Sequence, residues 1–265
     1  AASDVYKRQV LDNITYTYGV GTPFEKTALR GVSLTIENGE FLGVIGHTGS
    51  GKSTFVQHLN GLLHPTTGTV TVNGVDISAS TEEAKKMRHK VGMVFQYPEH
   101  QLFEETIAQD IAFGPKNLGL SADDVDERVR DAMKFVGLDY DTYAERSPFH
   151  LSGGQMRRVA IAGVVAMDPD FLVLDEPSAG LDPFGREEIF EEIIRLHKEK
   201  GITVILVSHN MEDISRMASR LVVLDKGRIV LDGEPMDIFN NHRDELQAVG
   251  VDVPPVSVTL SLIHI

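Results

Sequence analysis

Apolar and polar residues alternate near the start of the chain, as they do in β-strands that bury one face. The alternating apolar positions are Ile14, Tyr16, Tyr18, Val32, Leu34 and Ile36, and Gly and Pro residues separate the two runs. A further run of this kind covers residues 69–75. The pattern predicts a small antiparallel sheet formed by residues 13–40 together with the later run.

Other short runs are apolar throughout, which is typical of strands that are buried on both faces. They cover residues 41–45, 91–95, 171–174, 204–207 and 221–224. Helical patterns lie between them, and the first of these helices is predicted over Ser53–Leu63. The arrangement predicts an α/β fold built on a mostly parallel sheet.

Residues 106–149 interrupt this order, because they contain no strand pattern. Ser121 is a suitable N-cap for a helix that runs to Phe135. Asp123 and Asp124 follow in its first turn, where negative charge is favourable. We therefore predict an inserted α-helical subdomain at about residues 97–165.

The composition narrows the range of functions. The chain has 265 residues, of which 42% are hydrophobic and 24% are charged, values typical of a globular protein with a sizeable core. Its formal net charge of -14 disfavours binding to nucleic acid or anionic lipid. The absence of cysteine excludes disulfides, thiolate zinc sites and a cysteine nucleophile. No apolar run approaches the roughly 20 residues of a membrane span, so a membrane role is expected to require a partner.

The two ends of the chain are interpreted as foreign sequence. Asp4–Gln9 and Leu260–Ile265 can be encoded by DNA strands that are reverse complements of each other, as expected for a translated sequencing adapter. Residues 1–9 and 260–265 are therefore predicted to be non-native. The native chain would then start near Val10, and its C-terminal segment would be truncated.

A glycine-rich loop follows the apolar run 41–45 and precedes the first predicted helix. Its residues fit the pattern G-x-x-x-x-G-K-[ST] and are Gly46, His47, Thr48, Gly49, Ser50, Gly51, Lys52 and Ser53, followed by Thr54. The glycines allow successive N–H groups to point at phosphate oxygens, and the helix adds its positive dipole end. Lys52 is expected to reach the β- and γ-phosphates, and the Ser53 hydroxyl to coordinate Mg²⁺. The loop predicts a nucleotide-binding site.

Two carboxylates stand at the carboxyl end of the run 171–174, where ligands bind in open α/β sheets. Asp175 is placed to hold Mg²⁺ through its water shell. Glu176, one residue further, is placed to polarise an attacking water. An apolar strand that ends in Asp-Glu is weak evidence alone, but together with the glycine-rich loop it predicts nucleotide hydrolysis.

The segment Leu151-Ser152-Gly153-Gly154-Gln155 opens a predicted helix over residues 156–167 and resembles the signature sequence of ATP-binding-cassette (ABC) ATPases. Its serine and glycines expose backbone N–H groups at a helix N-terminus, which is a second phosphate site. The resemblance implies ATP as the nucleotide, an antiparallel β subdomain beside the P-loop core, and a head-to-tail dimer. In that dimer Ser152 and Gly154 would cap the ATP held by the partner's loop.

Other segments resemble the remaining motifs of this family in the same order. By resemblance, Gln96 is the Q-loop glutamine that contacts Mg²⁺ and water, and His209 is the switch histidine that contacts the γ-phosphate. The D-loop would be formed by Ser178, Ala179, Gly180, Leu181 and Asp182. Tyr18 resembles the aromatic residue that stacks on adenine, with Tyr16 as a rival.

A narrower resemblance covers nearly all of residues 10–259. It is to the ATPase subunits of energy-coupling factor (ECF) importers, most of all to the second of the paired ATPases, whose relatives include cobalt-importer ATPases. The segments that carry it are Thr22–Glu25, Gln57–Leu63, Phe95–Phe103 and Gln155–Arg158. Pro98–Phe103 would lie beside the groove that receives the scaffold's coupling helices, although Leu102 and Phe103 could equally be core residues.

This resemblance implies an ATPase domain at residues 10–235, the start of a C-terminal dimerisation segment at residues 236–259, and no nucleic-acid partner. The implied partners are a second ABC ATPase subunit, in a heterodimer or a homodimer, a transmembrane scaffold and a small membrane protein that binds a vitamin or transition-metal ion. The implied location is the cytoplasmic face of a prokaryotic cell membrane. The alternatives are an ATPase subunit of another ABC importer class and a soluble ABC ATPase that acts outside transport.

Overall fold

The computed structural model describes residues 7–251, which divide into two units. The first unit consists of the chain up to residue 91 and from residue 203 onward, and the second consists of residues 92–202. No helix among the described residues has the length and apolar character needed to cross a membrane.

The first unit contains the predicted antiparallel sheet. Its strand order is β2-β1-β4-β5. The strands are β1 (Arg8–Tyr18), β2 (Lys26–Glu37), β4 (Thr67–Val72) and β5 (Val75–Asp76). Ile14 of β1 pairs with Val32 of β2, and both are buried, so the apolar positions of the alternating pattern share one face. This part of the prediction is confirmed.

A second sheet of the first unit is built around β3 (Phe41–Ile45), whose five residues are all buried. It lies between β8 (Thr203–Val207) and β9 (Arg220–Asp225) and is parallel to both. β10 (Arg228–Gly233) adds an antiparallel edge strand. The prediction of a mostly parallel α/β core is therefore confirmed for this part of the chain.

The helices of the first unit are α1 (Lys52–Leu59), α2 (Glu82–His89), α8 (Met211–Met217), α9 (Pro235–Asn241) and α10 (Arg243–Ala248). The prediction for α1 was wrong at its C-terminus, because the helix stops four residues before Leu63. Asn60 is its C-cap, and Gly61 adopts a φ of 75°, which an α-helix cannot continue through.

The segments interpreted as non-native are only partly described by the structure. Arg8 and Gln9 belong to β1, and Gln9 is buried with its Nε2 donating to the Leu59 carbonyl at 2.5 Å. Residues 1–6 and 252–265 lie outside the described residues, so the predicted C-terminal dimerisation segment is described only at residues 236–251, which include α10 and most of α9.

The second unit contains the two neighbouring strands β6 (Val91–Val94) and β7 (Phe171–Asp175) and a group of helices. The helices are α3 (Ile107–Asn117), α4 (Ala122–Phe135), α5 (Tyr140–Tyr143), α6 (Gly153–Val165) and α7 (Pro183–Lys200). Ser121 caps α4 by accepting a hydrogen bond from the Asp124 N–H, as its position before an acidic first turn predicted. α6 packs against α3, α4 and the 3-10 turn Pro98–Gln101.

A half-buried carboxyl group on α7 makes the stability of the second unit depend on pH. Burial raises the pKa of Glu192 to about 7; the charges of Arg158 and Arg195 oppose the shift, and that of Glu188 adds to it. The unfolded chain ionises this group near 4.5, whereas the folded chain keeps it protonated until about pH 7. Stability is therefore lost as pH rises through this window, and the loss is complete above pH 7.

We expect Glu192→Gln to stabilise the protein at pH 8 and to have little effect at pH 4.5. The gain should be on the order of 1 kcal/mol after allowance for solvent screening, or about 2–4 °C in the thermal midpoint. Thermal unfolding at both pH values measures it, with the exposed neighbour Glu191→Gln as control. Equal shifts in the two variants would contradict the assignment.

Candidate nucleotide-binding site

The glycine-rich loop joins β3 to α1 and adopts a conformation that requires its glycines. Gly46, Gly49 and Gly51 have φ values of 154°, 83° and 109°. A Cβ on Gly46 would collide with the Leu224 carbonyl oxygen, and one on Gly51 would lie 2.9 Å from the Ala28 carbonyl oxygen. The loop is therefore packed tightly against β9 and β2, and its backbone shape is set before a ligand binds.

Lys52 begins α1, and its side chain folds back along the loop. Its Nζ donates to the carbonyl oxygens of Gly46 at 2.6 Å and His47 at 3.0 Å, and the residue is only 7% exposed. The ammonium group thus lies within the loop, at the positive end of a helix dipole. This is an arrangement that favours a multiply charged anion.

The hydroxyl groups after Lys52 have different surroundings. Ser53 is exposed at the first turn of α1, whereas the Thr54 Oγ1 lies 3.0 Å from the Tyr18 hydroxyl. Tyr16 is half-buried and packs edge-on against His58 at a centroid distance of 4.8 Å. Tyr18 is 42% exposed, which leaves it more accessible than Tyr16 to a flat ligand.

His47 makes two polar contacts that the sequence did not reveal. Its Nδ1 lies 2.7 Å from the Thr48 carbonyl oxygen, and its Nε2 lies 2.9 Å from the Asp225 carboxylate. Asp225 is 178 positions away in sequence. The only signal in the sequence that could have indicated this contact was the position of Asp225 at the end of an apolar strand. Because β9 runs parallel to β3, the carboxyl ends of both strands lie at one edge of the sheet.

His209 follows β8 in the same unit as the loop. Loss of hydration around the ring lowers its pKa, and the positive charge of Lys52 adds to the effect. The imidazole is therefore neutral at physiological pH and can both donate and accept a hydrogen bond. The next residue, Asn210, caps α8 by accepting from the N–H groups of Glu212 and Asp213.

In the second unit, β7 delivers Asp175 and Glu176 at its carboxyl end, and both are half-buried. Glu176 has a φ of 51°, which is uncommon for a residue with a side chain and typical of functional sites. The Ala179 N–H donates to the Glu176 carbonyl at 3.0 Å, and the Leu181 N–H to the Ser178 carbonyl at 3.2 Å. The turn ends at Asp182, which caps α7.

Ser152 is the N-cap of α6 and forms a capping box with Gln155. The Ser152 Oγ accepts from the Gln155 N–H at 3.3 Å, and the Gln155 Oε1 accepts from the Ser152 N–H at 3.1 Å. Apart from the adjacent residues and the backbone of α6 itself, no described atom lies within 4 Å of the Cβ position of Gly153 or Gly154. The first turn of α6, which follows Leu151, is thus open to an approaching group.

Gln96 is exposed and lies two residues beyond the end of β6, because the strand ends at Val94, one residue earlier than predicted.

Leu102 and Phe103 have different surroundings, although the sequence left open for both a core position or a position at a surface that receives the scaffold. Leu102 is buried, whereas Phe103 is 58% exposed and packs edge-on against the exposed Phe113 at 4.9 Å.

Sequence reasoning also missed Arg157 and Glu99. The Arg157 guanidinium is fully buried, and its Nη2 lies 3.1 Å from both oxygens of the Glu99 carboxylate. Glu99 lies in the segment Phe95–Phe103 and Arg157 in the segment Gln155–Arg158, but nothing in the sequence indicated that the two side chains are in contact.

A buried parallel strand, a glycine-rich loop with a folded-back lysine and a following helix define a P-loop nucleoside triphosphatase. The family model described as "ABC transporter" matches residues 29–179. The chain therefore belongs to the ABC transporter family, and it is an ATPase of the energy-coupling factor type, because curated relatives that are 57% and 55% identical to it carry that description.

The relatives are curated proteins called energy-coupling factor transporter ATP-binding protein EcfA2. The protein from Clostridium tetani is 57% identical over 93% of this chain and 85% of its own length. The one from Bacillus cereus strain ATCC 10987 is 55% identical over 91% of this chain and 82% of its own length.

Solved structures agree with this assignment. The structure of cbiO1 from Clostridium perfringens, described as part of the ABC transporter complex cbiONQ, has a TM-score of 0.79 and 35% identity, covering 96% of this chain and 98% of that one. A dimeric cassette, MJ0796 with bound ADP and phosphate, has a TM-score of 0.75 and 30% identity over 86% of this chain and 98% of that one.

Proposed function

We propose that this chain binds and hydrolyses ATP as one subunit of an ECF importer and so powers uptake of a vitamin or transition-metal ion. The observation that carries the proposal is the preformed loop in which the Lys52 ammonium lies at the N-terminus of α1. It supplies positive charge and backbone donors in the arrangement that a triphosphate needs.

The nucleotide would be held by the loop residues 46–54. Tyr18 would stack on adenine, because its ring is more exposed than that of Tyr16 while its hydroxyl is anchored by Thr54. Mg²⁺ would be held by the Ser53 hydroxyl, which is exposed, and by Asp175 and Gln96, whose oxygen atoms are of the ligand type that this ion prefers. Bound Mg²⁺ would neutralise charge on the β- and γ-phosphates.

Hydrolysis would depend on Glu176 and His209. The Glu176 carboxylate would accept a hydrogen bond from the attacking water and hold it in line with the β-γ bond. The neutral His209 imidazole would contact the γ-phosphate without adding a second full charge beside Lys52. Catalysis in this scheme comes from positioning and charge neutralisation rather than from a covalent intermediate.

The signature residues Leu151–Gln155 would act on ATP bound to a second ABC ATPase subunit. The open first turn of α6 supports this role, since it leaves room for a phosphate above Gly153 and Gly154. The D-loop residues Ser178, Leu181 and Asp182 would lie at the same interface. Closure on ATP and opening after hydrolysis would drive the membrane scaffold, to which a small substrate-binding membrane protein attaches.

In this proposal residues 10–235 form the ATPase domain, with a helical subdomain at about 97–165, and residues 236–259 begin a dimerisation segment. The protein would be peripheral at the cytoplasmic face of the membrane. The partner ATPase would be a paralogue or a second copy of this chain.

Affinity purification of the full-length tagged protein from gently solubilised membranes tests the assembly. We expect mass spectrometry to find a second ABC ATPase, a multi-helix scaffold and a small membrane protein.

Phe103→Glu should reduce recovery of the scaffold, because it introduces a negative charge into the exposed aromatic pair that Phe103 forms with Phe113. Phe24→Glu, an exposed residue of the first unit, is the control. Co-purification with an importer that uses a periplasmic binding protein would instead favour the alternative, an ATPase subunit of another ABC importer class.

A further inference from the structure

Arg157 is the largest fully buried side chain among the described residues, with an exposure of 1%. A guanidinium remains protonated under all physiological conditions, so its burial is costly unless its hydrogen-bond donors are satisfied. The position of this charge inside the second unit therefore calls for a structural or functional reason.

The guanidinium contacts two separate segments of the second unit. Its Nε and Nη2 form a forked contact with the Glu99 carboxylate, at 3.2 Å from Nε to Oε2 and 3.1 Å from Nη2 to Oε1. Its Nη1 donates to the Pro177 carbonyl oxygen at 2.8 Å. The Glu99 side chain is only 16% exposed, so this ion pair is shielded from water and salt.

These contacts join three motifs. Arg157 lies in the second turn of α6, behind the capping box of Ser152. Glu99 lies in the 3-10 turn Pro98–Gln101, three residues after Gln96. Pro177 directly follows Glu176, whose backbone has the uncommon φ of 51°. The loops after β6 and β7 also approach each other at Gly180, whose Cβ position is 3.4 Å from the Tyr97 ring.

We propose that Arg157 is a positioning residue that ties the Glu99 carboxylate to the Pro177 carbonyl and thereby holds the Glu176 backbone in its catalytic conformation. This inference rests on the proposed role of Glu176. A backbone held at positive φ needs surrounding contacts that outweigh its cost. The Nη1 hydrogen bond holds the carbonyl of the peptide unit that follows Pro177, one unit beyond the Glu176–Pro177 bond, while Glu99 fixes the direction of the guanidinium plane.

Arg157→Lys tests the proposal in the full-length protein, assayed in the complex that it forms. Lysine keeps the charge and can pair with Glu99, but its single ammonium group cannot hold the Glu99 fork and the Pro177 carbonyl together. We expect kcat for ATP hydrolysis to fall about tenfold or more, because small displacements of a catalytic group are costly. The KM for ATP and the affinity for ATP should stay within about twofold.

The adjacent Arg158 provides a matched control. Its Nη2 contacts Glu188 on α7 at 2.5 Å, so Arg158→Lys perturbs a neighbouring ion pair of the same helix. We expect its kcat to equal that of the wild type. Glu99→Gln is the second variant in case Arg157→Lys folds poorly. It leaves the Pro177 bond in place but weakens the fork, and we expect a fall of about threefold in kcat with KM retained.

Unchanged kcat in both Arg157→Lys and Glu99→Gln would overturn the proposal. An equal loss of kcat in Arg158→Lys would also overturn it. So would losses of kcat that track the fall in thermal midpoint across the variants, whether or not the contact to Pro177 is removed. A wild-type complex without ATPase activity would instead overturn the proposed function itself, so the two failures are distinguishable.

Discussion

Glu176→Gln is expected to lower ATP turnover by about 100-fold or more while ATP binding is retained. Glutamine has nearly the same shape, but its amide cannot accept a proton from the attacking water. The half-buried side chain follows β7 and is not part of the glycine-rich loop that is proposed to bind the phosphates. The loss should therefore fall on the chemical step and leave the nucleotide bound.

Phosphate release measured at saturating ATP, together with the lifetime of the ATP-bound dimer on a sizing column, checks this expectation. The variant should form a long-lived dimer, since ATP closes it and is not consumed. Glu191→Gln on the exposed side of α7 is the control for loss of a negative charge. Turnover within twofold of the wild type would refute the role assigned to Glu176.

Lys52→Ala is expected to weaken ATP binding by at least about tenfold, and turnover should fall with it. Two effects combine in this variant. The site loses a buried ammonium group that would pair with the phosphates, and the carbonyl oxygens of Gly46 and His47 lose their hydrogen-bond donor. The second effect loosens the loop before any nucleotide arrives.

The rise in thermal midpoint on addition of ATP measures this binding, because a ligand stabilises the folded state more when it binds more tightly, by RT ln(1 + [L]/Kd). The rise should be clearly smaller in Lys52→Ala and unchanged in Lys86→Ala, which removes an exposed lysine of α2. An unchanged ATP affinity in Lys52→Ala would contradict the interpretation of the loop. Lys52→Ala and Glu176→Gln thus separate nucleotide binding from the chemical step.

The parts of the site that the sequence predicted are local in the chain. The positive φ values of the loop glycines, the lysine at the start of α1 and the serine cap of α6 each belong to one short segment, although distant carbonyl groups also exclude a side chain at Gly46 and Gly51. The strand β3 was predicted at its observed bounds, because a run of only five apolar residues between turn signals is too short for a helix and is typical of a buried strand. α1 was predicted too long because its apolar residues continue past Asn60, where a left-handed glycine ends the helix.

The choice between Tyr16 and Tyr18 shows where local reasoning stopped. Both residues occupy the same face of an alternating strand, so the pattern treats them alike. The packing of His58 against Tyr16 and the Thr54 hydroxyl at Tyr18 distinguish them. These contacts come from α1, which reaches β1 only once the first unit is folded.

The sequence by itself determined the family and the order of the motifs, and it predicted the residues that would bind phosphate, because each motif is a contiguous segment. Only the tertiary structure decided which side chains support those motifs. His47 meets Asp225 across 178 positions, and Arg157 meets Glu99 across 58. Such pairs carry no local signal, since their partners are selected by the path of the chain through the sheet and helices rather than by their neighbours in sequence.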